Sequence, residues 1–139
     1  MAENEIILGY DVGGTKLGIG LASSDGKILG KGRIENKDTY PEDILPQMAE
    51  KGRRLVADAG LKMSDVKGFG ISAPGPADIA NGVLTAPTNN VHWRNVPIQS
   101  YLENELQIKG CFENDANCAA LAEWFFGAGR GCHDFIYLT

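Results

Sequence analysis

Ile6-Ile7-Leu8-Gly9-Tyr10-Asp11-Val12-Gly13-Gly14-Thr15-Lys16-Leu17-Gly18-Ile19-Gly20-Leu21-Ala22 is the stretch that decides the fold. Ile6, Leu8, Tyr10 and Val12 alternate with Ile7, Gly9 and Asp11, and Leu17, Ile19 and Leu21 alternate with Gly18, Gly20 and Ala22. A period of two is that of a strand with one buried face. Gly13-Gly14 turns the chain between the two strands. Ser24-Asp25-Gly26 makes a second turn, because Asp and Gly tolerate positive φ, and Ile28 to Ile34 returns as a third strand. Connections this short predict an antiparallel meander.

Beyond the meander the period changes. Ile44, Leu45, Met48, Leu55, Val56 and Ala59 keep helical spacing. Thr39 with Glu42 fits a capping box, Pro41 suits a first turn, and Gly60 fits a helix end. Pro46 predicts either a kink or a later start of the regular helix. Val66 to Ser72 reads as a buried strand closed by Ala73-Pro74-Gly75-Pro76, and Asp78 to Thr85 as a hairpin turning at Asn81-Gly82. Pro97 opens a helix with Ile98, Leu102 and Leu106 on one face and Gly110 beyond its end. Cys111 to Glu113 is a strand, Ala116 to Phe126 a helix ended by Gly127, and Asp134 to Thr139 one more strand. A meander feeding strand–helix alternation predicts an α/β fold, a mixed sheet with flanking helices. A last strand that ends on the final residue suggests a truncated chain.

The chain has 139 residues, 43% apolar and 22% charged, which suits one soluble domain with a real core. Thirteen Lys and Arg against 18 Asp and Glu give a net charge of −5, which speaks against nucleic acid as partner. Met1 to Glu5 is short and acidic, and no apolar run reaches the roughly 18 residues of a membrane span, so a cytoplasmic protein is expected. Cys111, Cys118 and Cys132 lack metal-type spacing and read as reduced thiols. His92 and His133 have no partner at ligand spacing. Trp124, Phe125 and Phe126 read as core, or as contacts to structure outside the chain.

Four segments could carry chemistry. In Asp11-Val12-Gly13-Gly14-Thr15-Lys16 the glycines let backbone N–H groups approach an anion, Thr15 adds a hydroxyl and Lys16 a charge, while Asp11 could orient a hydrated Mg²⁺. Taken alone it reads equally as a plain glycine hairpin. In Glu113-Asn114-Asp115-Ala116-Asn117 a strand meets a helix. There Asp115 is either the N-cap or a carboxylate placed to accept a proton from a hydroxyl, the cap being the commoner use. Gly70-Ile71-Ser72-Ala73-Pro74-Gly75-Pro76 is a stiff loop at a strand end, where α/β sheets often bind ligands. Pro87-Thr88-Asn89-Asn90-Val91-His92-Trp93 offers amides to a polyol and a ring to cover a sugar, or is an Asn-rich turn with a half-buried Trp.

Taken in order, these segments resemble the ROK family of sugar kinases and sugar-responsive repressors. Asp11 to Lys16 is similar to its phosphate loop and Gly68 to Pro76 to its sugar-side loop. Asn89 with Trp93 resembles its Asn-x-x-x-Trp stretch, and Glu113 to Glu123 its catalytic segment, with Gly127-Ala128-Gly129-Arg130-Gly131 following. The resemblance runs from about Ile6 to the last residue. It implies an actin/hexokinase-like (ribonuclease H-like) lobe, with residues 1–139 as the N-terminal lobe, ending at the start of the second. It implies transfer of the ATP γ-phosphoryl group to a hexose or N-acetylhexosamine, commonly at the 6-hydroxyl. It makes Asp115 the general base, Gly75, Asn89 and Asn114 sugar contacts, Gly13, Gly14, Thr15 and Lys16 phosphate contacts, and Asp11 an indirect Mg²⁺ residue. The family's structural zinc site belongs to a C-terminal part absent here, so no zinc is expected in this chain, which alone should be a poor kinase or none. The family is often dimeric, which leaves a homodimer open. Three other readings stand beside it. A repressor-type relative would carry a DNA-reading helix-turn-helix before the loop, for which there is no room. The others are a non-catalytic sugar sensor and a small domain whose glycine loops are only turns.

Overall fold

A computed structural model describes residues 4–139; Met1 to Glu3, the start of the acidic N-terminal stretch, lie outside them. β1 (Ile6–Val12), β2 (Lys16–Ser23) and β3 (Ile28–Glu35) form the antiparallel meander, with Leu8, Tyr10, Val12, Leu17, Ile19 and Leu21 all buried, as the alternation predicts. β4 (Val66–Ala73) pairs parallel to β1, and β7 (Gly110–Asn114) parallel to β4. The five-stranded sheet therefore runs β3-β2-β1-β4-β7. β5 (Ala77–Asp78) and β6 (Val83–Leu84) make the small hairpin expected at Asn81-Gly82.

Helix α1 (Pro41–Asp58) covers one face of the sheet, with Ile44, Leu45, Met48 and Val56 buried, and packs beside α2 (Ile98–Leu106). It starts at Pro41 and runs through Pro46 as one helix; a proline so near the N-terminus removes only an early intrahelical donor. The Thr39–Glu42 capping box does not form. Tyr40 holds the cap position without a side-chain bond, and the Thr39 hydroxyl donates instead to Asn36 Oδ1 at 2.6 Å. The C-terminus closes as expected: Gly60 takes φ 74°, with Gly60 N–H donating to the Ala57 carbonyl and Leu61 N–H to the Val56 carbonyl. α2 stops earlier than Gly110, at Gln107 in the left-handed region (φ 57°), and Gly110 opens β7.

α3 (Asp115–Phe126) lies on the opposite face, against β4 and β7. It buries none of its residues. Leu121, Trp124, Phe125 and Phe126 are exposed, so the core reading of these aromatics fails. On this side of the sheet β1, β2 and β4 carry Gly9, Gly18, Gly20, Gly68 and Gly70, which add no side chains to it. Phe126 does reach the β2–β3 turn, where its ring rests on Gly26.

The expected strand over Asp134 to Thr139 is not formed. Phe135, Ile136, Tyr137 and Leu138 pair with no strand and are exposed. Four successive apolar residues carry no alternation to select a register, and an unpaired strand has no ladder. No helix among the described residues is long and apolar enough to cross a membrane.

Candidate active site

The carboxyl ends of β1, β4 and β7 lie side by side, and their register sets Asp11 beside Ser72 and Ser72 beside Glu113. Asp11 and Ser72 neighbour buried residues on their own strands, so both side chains point to the α3 face. The Ser72 hydroxyl donates to Asp11 Oδ1 at 3.0 Å. Glu113 accepts from the Asn114 backbone N–H at 2.8 Å and from Asn117 Nδ2 at 3.0 Å. These bonds, the Asn114 one foremost, hold its carboxyl below the ordinary range, so Glu113 is an ionised brace for the β7–α3 corner.

That corner presents Asp115. The N-cap of α3 is Asn114, not Asp115: Asn114 Oδ1 accepts from Ala116 N–H at 3.0 Å. Asp115 is the first helical residue and is exposed. Its Oδ1 shares the Ala116 N–H at 2.8 Å, and its Oδ2 accepts nothing among the described residues. The helix N-terminus favours a negative charge here. Asp115 and Asp11 open onto one cleft of about 470 Å³, shared with Ser72, Cys118, Tyr137 and Thr139. Burial pushes the Cys118 thiol up, so it stands beside the two carboxylates protonated.

The glycine turn is built differently from the simple nest the sequence suggests. The Gly13 N–H closes the turn by donating to the Lys16 carbonyl at 3.0 Å. The N–H groups of Gly14 and Thr15 make no backbone bond among the described residues and are the ones open to a ligand. Gly14 has a second reason to be glycine: a Cβ there would stand 2.4 Å from Asn89 Cβ. Gly14, Thr15 and Asn89 share a second cavity of about 420 Å³ with Lys37 and Asp38. Of Asn89 and Asn90, Asn89 is exposed to this cavity and Asn90 is buried. Lys16 lines neither cavity; it is exposed at the start of β2, two residues before Gly18, the register partner of Asp11.

The predicted residues thus fall into two groups, Asp11 with Asp115 and Gly14 and Thr15 with Asn89. Gly75 lines neither cavity and is exposed at the turn following β4. Trp93 cannot cover a sugar, because it is fully buried and donates through Nε1 to the Thr39 carbonyl at 3.2 Å. Ser72, Asn36, Lys37, Asp38 and Cys118 were not singled out as site residues in the sequence. Ser72 stands inside the Gly-Ile-Ser-Ala-Pro-Gly-Pro segment itself. The polar run Asn36-Lys37-Asp38-Thr39 between a strand and a helix is the signal for the others at the turn. As for Mg²⁺, no group of three His, Cys, Asp or Glu clusters among the described residues. A single carboxylate fits an ion that keeps its waters and binds phosphate oxygens, and Asp11 Oδ2 accepts no hydrogen bond among the described residues.

A family model described as "ROK family" matches residues 7–139. The chain is 40% identical over 136 residues to a glucokinase of Thermotoga maritima, covering 96% of this chain and 41% of that protein. It is 32% identical over 133 residues to a beta-glucoside kinase of Listeria monocytogenes, covering 96% of this chain and 42% of that one. The structure of a ROK family glucokinase from Streptomyces griseus, in complex with glucose and AMPPNP, aligns with a TM-score of 0.71 at 30% identity, covering 91% of this chain and 38% of that chain. The mixed sheet with its leading meander is the actin/hexokinase-like lobe expected from the sequence. The chain spans about two fifths of the length of the relatives it matches.

Proposed function

The chain belongs to the ROK family, and on that premise we propose that residues 1–139 are the N-terminal lobe of an ATP-dependent sugar kinase acting on a hexose or N-acetylhexosamine, at the 6-hydroxyl. The observation that carries this reading is the cleft in which Asp115 and Asp11 each keep a carboxylate oxygen without a partner among the described residues. Asp115 accepts the proton of the sugar hydroxyl as that oxygen bonds to the γ-phosphorus and the bond to the ADP oxygen breaks. Glu113 and Asn114 fix the helix start from which Asp115 projects. Asn114 Nδ2, Asn89 and Gly75 are assigned to sugar hydroxyls. The amides of Gly14 and Thr15 receive phosphate oxygens, Gly13 shapes their turn, and Lys16 adds positive charge. Mg²⁺, when bound, offsets phosphate charge, and Asp11 is the residue that would hold it through a water.

The likeness to a glucokinase and a beta-glucoside kinase supports a sugar substrate. Calorimetric titration with glucose, N-acetylglucosamine and N-acetylmannosamine, with and without Mg-ATP, names the substrate class. In a full-length form Asp115→Asn should abolish turnover and largely keep sugar affinity. Retained turnover, or loss of sugar binding by a folded variant, refutes Asp115 as the base.

A further inference from the structure

Asn36 directly follows β3, whose last residue pairs with Lys16 beside the glycine turn, and it is fully buried, an uncommon place for an amide. Its polar groups are spent on neighbours. The backbone N–H donates to the Thr15 carbonyl at 2.8 Å, Nδ2 donates to the Gly13 carbonyl at 2.7 Å, and Oδ1 accepts from the Thr39 hydroxyl at 2.6 Å. The Thr39 carbonyl accepts from Trp93 Nε1 at 3.2 Å, and Trp93 N–H donates to the Asn90 carbonyl at 2.9 Å. Asn89, next along that loop, then touches Gly14. The contacts form a closed circuit: turn, Asn36, Thr39, Trp93, the Asn89 loop, and the turn again.

We propose that Asn36 is a positioning residue that, through Thr39 and Trp93, locks the glycine turn and the Asn89 loop in one relation before any ligand arrives. That these two segments receive phosphate and sugar rests on the kinase reading above; the circuit does not. The chemistry requires an amide. Position 36 must donate to one carbonyl and accept from one hydroxyl. Aspartate offers only acceptors and would set a carboxylate against the Gly13 carbonyl, and an apolar residue would leave that carbonyl without its donor and the Thr39 hydroxyl with only the backbone carbonyl of residue 36, at 3.4 Å. A turn of two glycines is costly to order, so holding it in advance spares that entropy when ligand binds.

The experiment compares backbone amide hydrogen exchange by NMR in the unsubstituted chain, Asn36→Asp and Thr39→Ala. The second variant only removes a half-buried hydroxyl and keeps the fold. Loss of this one half-buried hydrogen bond should speed exchange of the Gly13 and Trp93 amides about tenfold, while the β4 amide of Ile71 is unchanged. Titration with Mg-AMPPNP, followed at the Gly14 and Thr15 amides, should need about tenfold more ligand in either variant. Unchanged Gly13 and Trp93 exchange in Thr39→Ala overturns the proposal, as does acceleration at Ile71 by the same factor, the mark of a purely structural role. If Mg-AMPPNP shifts nothing in the unsubstituted chain, the phosphate reading fails, and the exchange rates still decide the circuit.

Discussion

Gly14→Ala tests whether the two loops of the second cavity touch as closely as the structure has them. The new methyl would stand 2.4 Å from Asn89 Cβ and 3.2 Å from the Asn89 carbonyl oxygen, well inside van der Waals contact. Neither neighbour is the free end of a long side chain, so the Asn89 loop must move. That loop is tied down by Trp93, which is fully buried. Overpacking against fixed structure costs about 1–3 kcal/mol. With an m-value of about 2 kcal/mol per molar urea, the unfolding midpoint should fall by about 0.5–1.5 M. The cost should depend on the Cβ of residue 89. In an Asn89→Gly background Gly14→Ala should cost under about 0.5 kcal/mol, whereas Asn89→Ala keeps the Cβ and should give no relief. Equal costs in all three backgrounds would refute the close approach and, with it, the steric reason for glycine at 14.

Trp93→Ala should destabilise the chain by about 3–5 kcal/mol, read as a large fall in melting temperature, since it removes a fully buried indole; a loss under about 1 kcal/mol would contradict its place in the core. Burial pushes the Tyr10 phenol well above its ordinary range, the hydroxyl donating to the Met48 carbonyl at 3.3 Å. Its folded pKa exceeds the unfolded one, so its contribution is complete below about pH 10 and is lost as pH rises through the folded value. Alkaline unfolding should therefore be shallower in Tyr10→Phe than in the unsubstituted chain, and identical profiles would count against the burial.

The meander was legible because alternation reports burial directly, and Leu8, Tyr10, Val12, Leu17, Ile19 and Leu21 are all inward. Gly60 was legible because few residues other than glycine accept φ 74° at a helix end. Thr39 misled because a hydroxyl near a helix start has more than one acceptor within reach. Asn36, three residues earlier, competes with the helix and wins, something spacing to Glu42 does not reveal. The core reading of the α3 aromatics misled for a related reason: their type predicts burial, but burial needs a partner surface, and the described residues supply none that encloses them. The strand–helix corner that carries Asp115 was legible from the change of period there. That Asn114 takes the cap depends on a one-residue phase of the helix that local sequence does not set. Gln107 in the left-handed region was hidden likewise, since a glycine three residues on was the more obvious stop.

The chain's two tryptophans occupy opposite environments: Trp93 is fully enclosed, while Trp124 is 44% exposed. Their light emission should separate accordingly. Trp93 should fluoresce at shorter wavelength and resist acrylamide quenching, and Trp124 should emit at longer wavelength and quench freely. With Trp124→Phe the remaining signal comes from the indole bonded to Thr39, an optical reporter inside the circuit that joins the glycine turn to Asn89. With Trp93→Phe it comes from the bare face of α3. Anything that settles on that face, whether more polypeptide or another molecule, should announce itself as a blue shift from Trp124 while Trp93 stays silent.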